Sequence, residues 1–128
     1  MSNELLPEQD TDFLKSKNYE FELLPHNSIT HLIIKKFIFP AQYYLPSEAD
    51  LLIEIPAGYP NAPLDMFWIN PEIKLANGVA PQQTETRADY HGKSWQRWSR
   101  HYVTPWRSGV DSLRSFVQSI IAELKKGT

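Results

Sequence analysis

The sequence of 128 residues contains no cysteine. Disulfide bonds, zinc–thiolate sites and iron–sulfur clusters all require cysteine sulfur, so the chain can form none of them. The same absence excludes every enzyme mechanism that carries an acyl group on a cysteine thiolate. A chain of this length can bury a sizeable core without such crosslinks, and we expect one globular domain over residues 1–128.

The sequence also lacks a charge excess and a long apolar run. Thirteen Lys and Arg residues against fifteen Asp and Glu residues give a formal net charge of -2, which argues against a protein whose main task is to neutralise nucleic-acid phosphates. No apolar stretch approaches the roughly 18 residues of a membrane-spanning helix. The N-terminus lacks the basic and apolar regions of a secretory signal, so we expect a cytoplasmic protein without membrane contact.

Hydrophobic periodicity predicts an α+β chain. Charge order predicts a short helix near residues 7–17, because acidic residues there precede basic ones. Apolar residues at helical spacing predict a C-terminal helix, with a capping-box-like start at 108–111. Alternating or β-branched apolar residues predict four strands, and these are expected at residues 19–23, 29–39, 50–56 and 66–69.

Between Ile69 and Trp106 no period holds for more than a few residues. This stretch is far longer than an ordinary connection, and long ordered loops are usually functional. The predicted architecture is therefore an N-terminal helix, a four-stranded antiparallel meander, a long loop and a C-terminal helix.

The segment between the third and fourth predicted strands is rich in proline. Pro56, the tripeptide Gly58-Tyr59-Pro60 and Pro63 restrict the backbone to one rigid route out of the sheet. Together with Trp68 in the following strand, this segment resembles the strand-and-proline signature of the ubiquitin-conjugating enzyme fold. In that fold a short helix and a four-stranded meander precede the active-site loop, and a tryptophan precedes a long helix. Trp106 fits that place.

More closely, residues 56–68, 95–101 and 106–111 look like the prokaryotic family E of ubiquitin-conjugating-like proteins, over nearly the whole chain. The resemblance implies a role in a bacterial ubiquitin-like conjugation pathway. Its expected partners are an adenylating activating-enzyme homologue, bound through the N-terminal helix and adjacent strands, and a ubiquitin-like protein. The chain departs from the fold's pattern because it has neither a His-Pro-Asn tripeptide after the fourth strand nor a cysteine.

Without a thiol, an acyl acceptor has to be a hydroxyl assisted by a base and an oxyanion stabiliser. We favour Ser99, which lies seven residues before Trp106, near the spacing at which the family fold places its nucleophile. His101 is two positions further and would share a face with Ser99 on an extended backbone, so it is the expected base. The other candidate hydroxyls are Ser94, Thr104 and Ser108. Whether the chain is an enzyme stays open, because a non-catalytic adaptor for the ubiquitin-like protein also explains the missing cysteine.

The predicted loop combines positive charge with aromatic rings. Residues 87–107 include five basic side chains and one acidic side chain, a formal charge of +4, with five Trp and Tyr residues interleaved. Arginines among aromatics suit a protein interface or a single-stranded nucleic-acid platform. The residues expected to bind the ubiquitin-like tail are Arg97, Arg100, Trp95, Trp98 and Tyr59. The alternatives are that the tryptophans close the core, or that the chain is a nucleic-acid-binding module, a partner class we do not expect.

Histidine positions do not predict a metal site. His91, His101 and Asp89 could together hold an ion, but their spacing matches no recognised ligand pattern. His26 in a predicted turn and His31 in a predicted strand have simple structural or exposed interpretations. We therefore expect neither a metal nor another cofactor.

Overall fold

The computed structural model describes residues 6–100 and 105–128. Within these residues the chain forms two helices and eight strands, so the predicted α+β class is confirmed. The helices are α1 (Glu8–Ser16) and α2 (Leu113–Leu124). The strands are β1 (Phe21–His26), β2 (Ile29–Ile38), β3 (Tyr44–Leu45), β4 (Glu48–Ile55), β5 (Phe67–Asn70), β6 (Lys74–Leu75), β7 (Arg87–Tyr90) and β8 (Lys93–Trp98).

Six strands form one curled antiparallel sheet in the order β1-β2-β4-β5-β8-β7. Strands β1, β2, β4 and β5 correspond to the four strands that periodicity predicts. The short strands β3 and β6 pair separately and were not predicted.

The expectation of a long loop between Ile69 and Trp106 is wrong, because β6, β7 and β8 lie within it. Strand β8 shows no apolar alternation in the sequence, because it buries polar as well as apolar side chains. Gln96 is buried and uses its side-chain amide to bond both the N–H and the C=O of Ile73, at 3.0 and 3.1 Å. A buried glutamine satisfied in this way interrupts the apolar alternation from which a strand is recognised.

The predicted start of the C-terminal helix at Ser108–Asp111 is also wrong. Those residues form a turn in which the Asp111 carboxylate accepts a hydrogen bond from the Arg107 N–H at 2.8 Å. Helix α2 begins at Leu113, and the Ser115 hydroxyl accepts from the Ser112 N–H at 3.0 Å. The capping box therefore lies four residues later than the sequence suggests.

The two faces of the sheet carry two different groups of buried side chains, because successive side chains of a strand point to opposite sides. On the inner face, α1 and α2 cover the main core, which includes Leu32, Ile53, Phe67 and Trp98. On the outer face a smaller group, the outer cluster, consists of Ile33, Leu52, Trp68 and Trp95.

Tyr59 joins the proline-rich turn to both helices. Its hydroxyl donates to the Asp10 carboxylate at 2.5 Å and accepts from the Leu113 N–H at 2.7 Å. Burial raises the pKa of Tyr59 above its ordinary value, as does its contact with Asp10. Nearby, the Trp106 indole donates to the carbonyl of Pro60 at 2.8 Å. One phenol oxygen thus fixes α1 and the start of α2 relative to the turn.

We predict that Tyr59→Phe lowers the free energy of unfolding by about 1–3 kcal/mol in urea titration, because it leaves a buried acceptor and a donor unpaired. Tyr43→Phe is the matched control. The Tyr43 ring is also half-buried against the core, but its hydroxyl has no hydrogen bond to a described residue. Its loss should change stability by less than about 0.5 kcal/mol. Equal effects of the two substitutions would contradict the role of the Tyr59 hydroxyl in holding α1 and α2 against the turn.

Candidate functional site

Strand β8 orients the side chains that the sequence singles out. Gln96 and Trp98 point to the inner face, whereas Trp95 and Arg97 point to the outer face. The register is fixed on both sides, by pairing of Arg97 with Trp68 of β5 and by the hydrogen bond from the Arg97 N–H to the carbonyl of Thr86 at 2.9 Å. The alternation of this strand therefore decides which residues can meet a partner.

Ser99 follows directly after β8 and is held beside Arg97. Its N–H donates to the carbonyl of Gln83 at 3.0 Å, and its side-chain oxygen accepts from Arg97 Nε at 2.7 Å. The Arg97 guanidinium also lies 5.9 Å from the centre of the Trp68 ring. Both Ser99 and Arg97 are half-buried. A cation at hydrogen-bond distance favours negative charge on the serine oxygen, which is the charge that develops on a nucleophile or an oxyanion.

The expected base, His101, lies outside the described residues, as does the alternative hydroxyl Thr104. The contact that the structure gives for the Ser99 side chain, within residues 6–100 and 105–128, is the one with Arg97. The pairing of Ser99 with His101 thus stays a prediction.

The two other candidate hydroxyls are exposed and lie elsewhere. Ser94 is in β8 next to the hairpin turn, and its carbonyl accepts from the Asn70 side chain at 2.8 Å. The Ser108 hydroxyl donates to the Asn61 side chain beside the proline-rich turn. Neither has an arginine contact like that of Ser99 among the described residues, so Ser99 is the best-placed hydroxyl of the three.

Trp95 and Trp98 are packed inside the protein. Trp98 is fully buried and stacks on Phe67 with ring centres 5.5 Å apart, while Trp95 is buried in the outer cluster. The Trp95 indole donates to the carbonyl of Tyr90 at 3.0 Å, which ties β8 to β7. Core packing, the alternative that the sequence leaves open, is the role that the structure shows for both rings.

Arg100 and Tyr59 also make contacts within the chain. Arg100 is buried, lies 4.7 Å from the centre of the Trp98 ring and donates to the carbonyls of Gln82 and Thr128. Its guanidinium therefore connects the end of β8 to the C-terminal segment. Binding of a ubiquitin-like tail by Arg97, Arg100 or Tyr59 stays a prediction; Arg97 and Tyr59 are half-buried, whereas Arg100 is buried.

Three histidines that the sequence leaves apart come together on the outer face. His26, His31 and His91 form the histidine cluster, in which each ring offers a nitrogen within 4.8 Å of the others. Asp89, which the sequence pairs with His91, is not part of this group. Sequence reasoning missed the cluster because its members belong to three separate segments and share no motif spacing.

A model of prokaryotic E2 family E matches residues 6–127 of the sequence. The chain belongs to prokaryotic E2 family E. No curated protein and no solved structure matches it. Membership of this E2 family indicates a role in a bacterial ubiquitin-like conjugation pathway and interaction with other proteins of that pathway. Neither α1 nor α2 of this E2-family chain is long and apolar enough to cross a membrane.

The contacts of Arg100 and Arg97 predict different costs when each is replaced. We expect Arg100→Gln to lower the free energy of unfolding by at least about 1 kcal/mol more than Arg97→Gln, because the buried Arg100 side chain bonds the carbonyls of Gln82 and Thr128 and packs on the Trp98 ring. Paired urea titrations of the two variants measure this difference. A larger loss for Arg97→Gln would contradict a structural role for Arg100.

Proposed function

We propose that this chain accepts a ubiquitin-like protein on the Ser99 hydroxyl as an oxyester, acting as a single cytoplasmic domain over residues 1–128. An adenylating activating-enzyme homologue, bound through α1 and the adjacent strands, supplies the activated carboxyl group. The observation that carries the proposal is the 2.7 Å hydrogen bond from Arg97 Nε to the Ser99 oxygen, in a cysteine-free member of an E2 family.

The proposed reaction joins the serine oxygen to the C-terminal carbonyl carbon of the ubiquitin-like protein. The Ser99 oxygen attacks the acyl adenylate, an ester C–O bond forms, and the C–O bond to the phosphate of AMP breaks so that AMP leaves. His101 takes the hydroxyl proton, as the sequence spacing suggests. The Arg97 guanidinium stabilises the negative charge that develops on the oxygen atoms during attack.

A non-catalytic adaptor is the second candidate, and a specific observation favours it. No described residue offers a base to the Ser99 hydroxyl, because its contact there is with a cation. In this alternative Arg97 and its surroundings hold the tail of the ubiquitin-like protein without forming a bond. The nucleic-acid-binding alternative loses support, because Trp95 and Trp98, which would have to stack on bases, are buried.

Intact-mass analysis after incubation with the activating enzyme, the ubiquitin-like protein and ATP separates these functions. We predict a covalent adduct, larger than this chain by the ubiquitin-like protein less one water, that hydroxylamine removes. The adduct should be absent in Ser99→Ala and retained in the control Ser94→Ala, which changes an exposed serine at the other end of β8. Arg97→Gln should slow its formation by roughly 100-fold, the effect of losing one oxyanion donor.

Each outcome decides between the candidates. An adduct that persists in Ser99→Ala would contradict Ser99 as the nucleophile. Non-covalent binding of the ubiquitin-like protein without any adduct would contradict transfer and support the adaptor.

A further inference from the structure

The histidine cluster forms where three chain segments meet on the outer face of the sheet. His26 ends β1, His31 lies in β2 near its start, and His91 is in the turn between β7 and β8. The His31 Nδ1 atom is 2.9 Å from the Nε2 atom of His91. The rings of His26 and His31 stack with their centres 4.5 Å apart. Two nitrogen atoms that are in contact thus belong to residues sixty positions apart in the sequence.

The curl of the sheet brings these segments together. Strands β1 and β7 are the two edges of the six-stranded sheet, yet the tip of the β7–β8 hairpin reaches β1 and β2. Tyr90 fixes this approach, because its ring packs edge-on against His26, His31 and Trp68 with centres 5.3, 4.9 and 5.2 Å apart. The cluster is therefore built by the same packing that forms the outer cluster.

Glu54 of β4 lies beside the Nε2 atom of His31, whereas His91 contacts the other ring nitrogen, Nδ1. Its Oε2 atom is 3.6 Å from His31 Nε2, and its Oε1 atom accepts from the Trp68 indole at 3.3 Å. His31 is fully buried, and its Nε2 atom has no hydrogen-bond partner in the described part of the chain. A carboxylate beside one ring nitrogen orients metal-binding histidines, because it keeps the proton there and leaves the other nitrogen's lone pair free. Here Nδ1 is the nitrogen that faces His91, and it shares a hydrogen bond with the Nε2 atom of that ring.

We propose that His26, His31 and His91 bind a Zn²⁺ ion on the outer face of the sheet. Tetrahedral zinc with nitrogen ligands at about 2.0–2.1 Å separates those nitrogens by about 3.4 Å. One pair of the cluster's nitrogens is 2.9 Å apart and the three ligand atoms lie within 4.8 Å of one another, which is close to the separation that zinc requires. The fourth position faces solvent, because His91 is exposed and His26 is half-buried.

A zinc ion at this position would tie the β7–β8 hairpin to β1 and β2. Any ligand that binds the folded chain and not the unfolded chain stabilises it. Strand β8 leads directly to Ser99, so the ion would steady that region without taking part in the transfer. The inference rests on the histidine geometry alone and stands or falls independently of the proposed function.

Calorimetric titration of the tag-free, chelator-treated full chain with ZnCl₂ tests the site. We expect one Zn²⁺ per chain and a zinc-dependent rise in Tm. His91→Asn should weaken binding by at least roughly 100-fold, and asparagine tolerates the positive φ of 54° at this position. Glu54→Gln should weaken it by about 10–100-fold, the usual effect of losing a residue that orients a ligand.

Two further variants complete the design. His26→Gln, at a half-buried strand end, should weaken zinc binding like His91→Asn, and both variants should keep the native circular dichroism spectrum. Asp89→Asn, an exposed acid on the same hairpin, is the control and should bind as tightly as the unmodified chain. No saturable binding, or binding that His91→Asn leaves unchanged, would overturn the site.

Discussion

The alternation of side chains along β8 is the constraint on which the outer and inner faces of this protein both depend. Gln96 and Trp98 enter the main core, and the buried glutamine is satisfied by the backbone of Ile73. Their neighbours along the strand, Trp95 and Arg97, must then face outward. Trp95 closes the outer cluster, and Arg97 reaches the oxygen of Ser99. A shift of one residue in the register of β8 would exchange these two sets and bury the arginine.

This constraint gives a cysteine-free member of prokaryotic E2 family E a hydroxyl in a defined electrostatic setting. A serine hydroxyl is a weak nucleophile by itself, so its surroundings determine whether it can react. In the proposed transfer Arg97, which donates to the Ser99 oxygen, would supply the cation that an oxyanion needs. The histidine cluster lies on the same outer face and uses the same hairpin. Conjugation chemistry and a metal site would therefore share one structural support while relying on different residues.

Sequence patterns predicted the regular parts of the fold and missed the parts that mix polar and apolar burial. The strands β1, β2, β4 and β5 are built mainly from alternating or β-branched apolar residues and were expected, whereas β8 contains a buried glutamine and has no clean period. Ser99 and Arg97 are two residues apart, so strand geometry would have paired them had β8 been recognised. The histidine cluster was out of reach, because its members meet only through the curl of the sheet. Arg100 was expected to bind a partner, but a charged side chain gives no sign in the sequence of being stacked on a buried ring.

The central claim is that the region before Ser99 is a paired strand. The most direct test of this claim is residue-resolved amide hydrogen exchange of the full chain. The account predicts slow exchange for the Arg97 and Ser99 amides, which bond the carbonyls of Thr86 and Gln83. The amide of Gly92, in the hairpin turn, is the internal reference and should exchange fast. Exchange of Arg97 and Ser99 as fast as Gly92 would show a mobile loop there and would contradict the account.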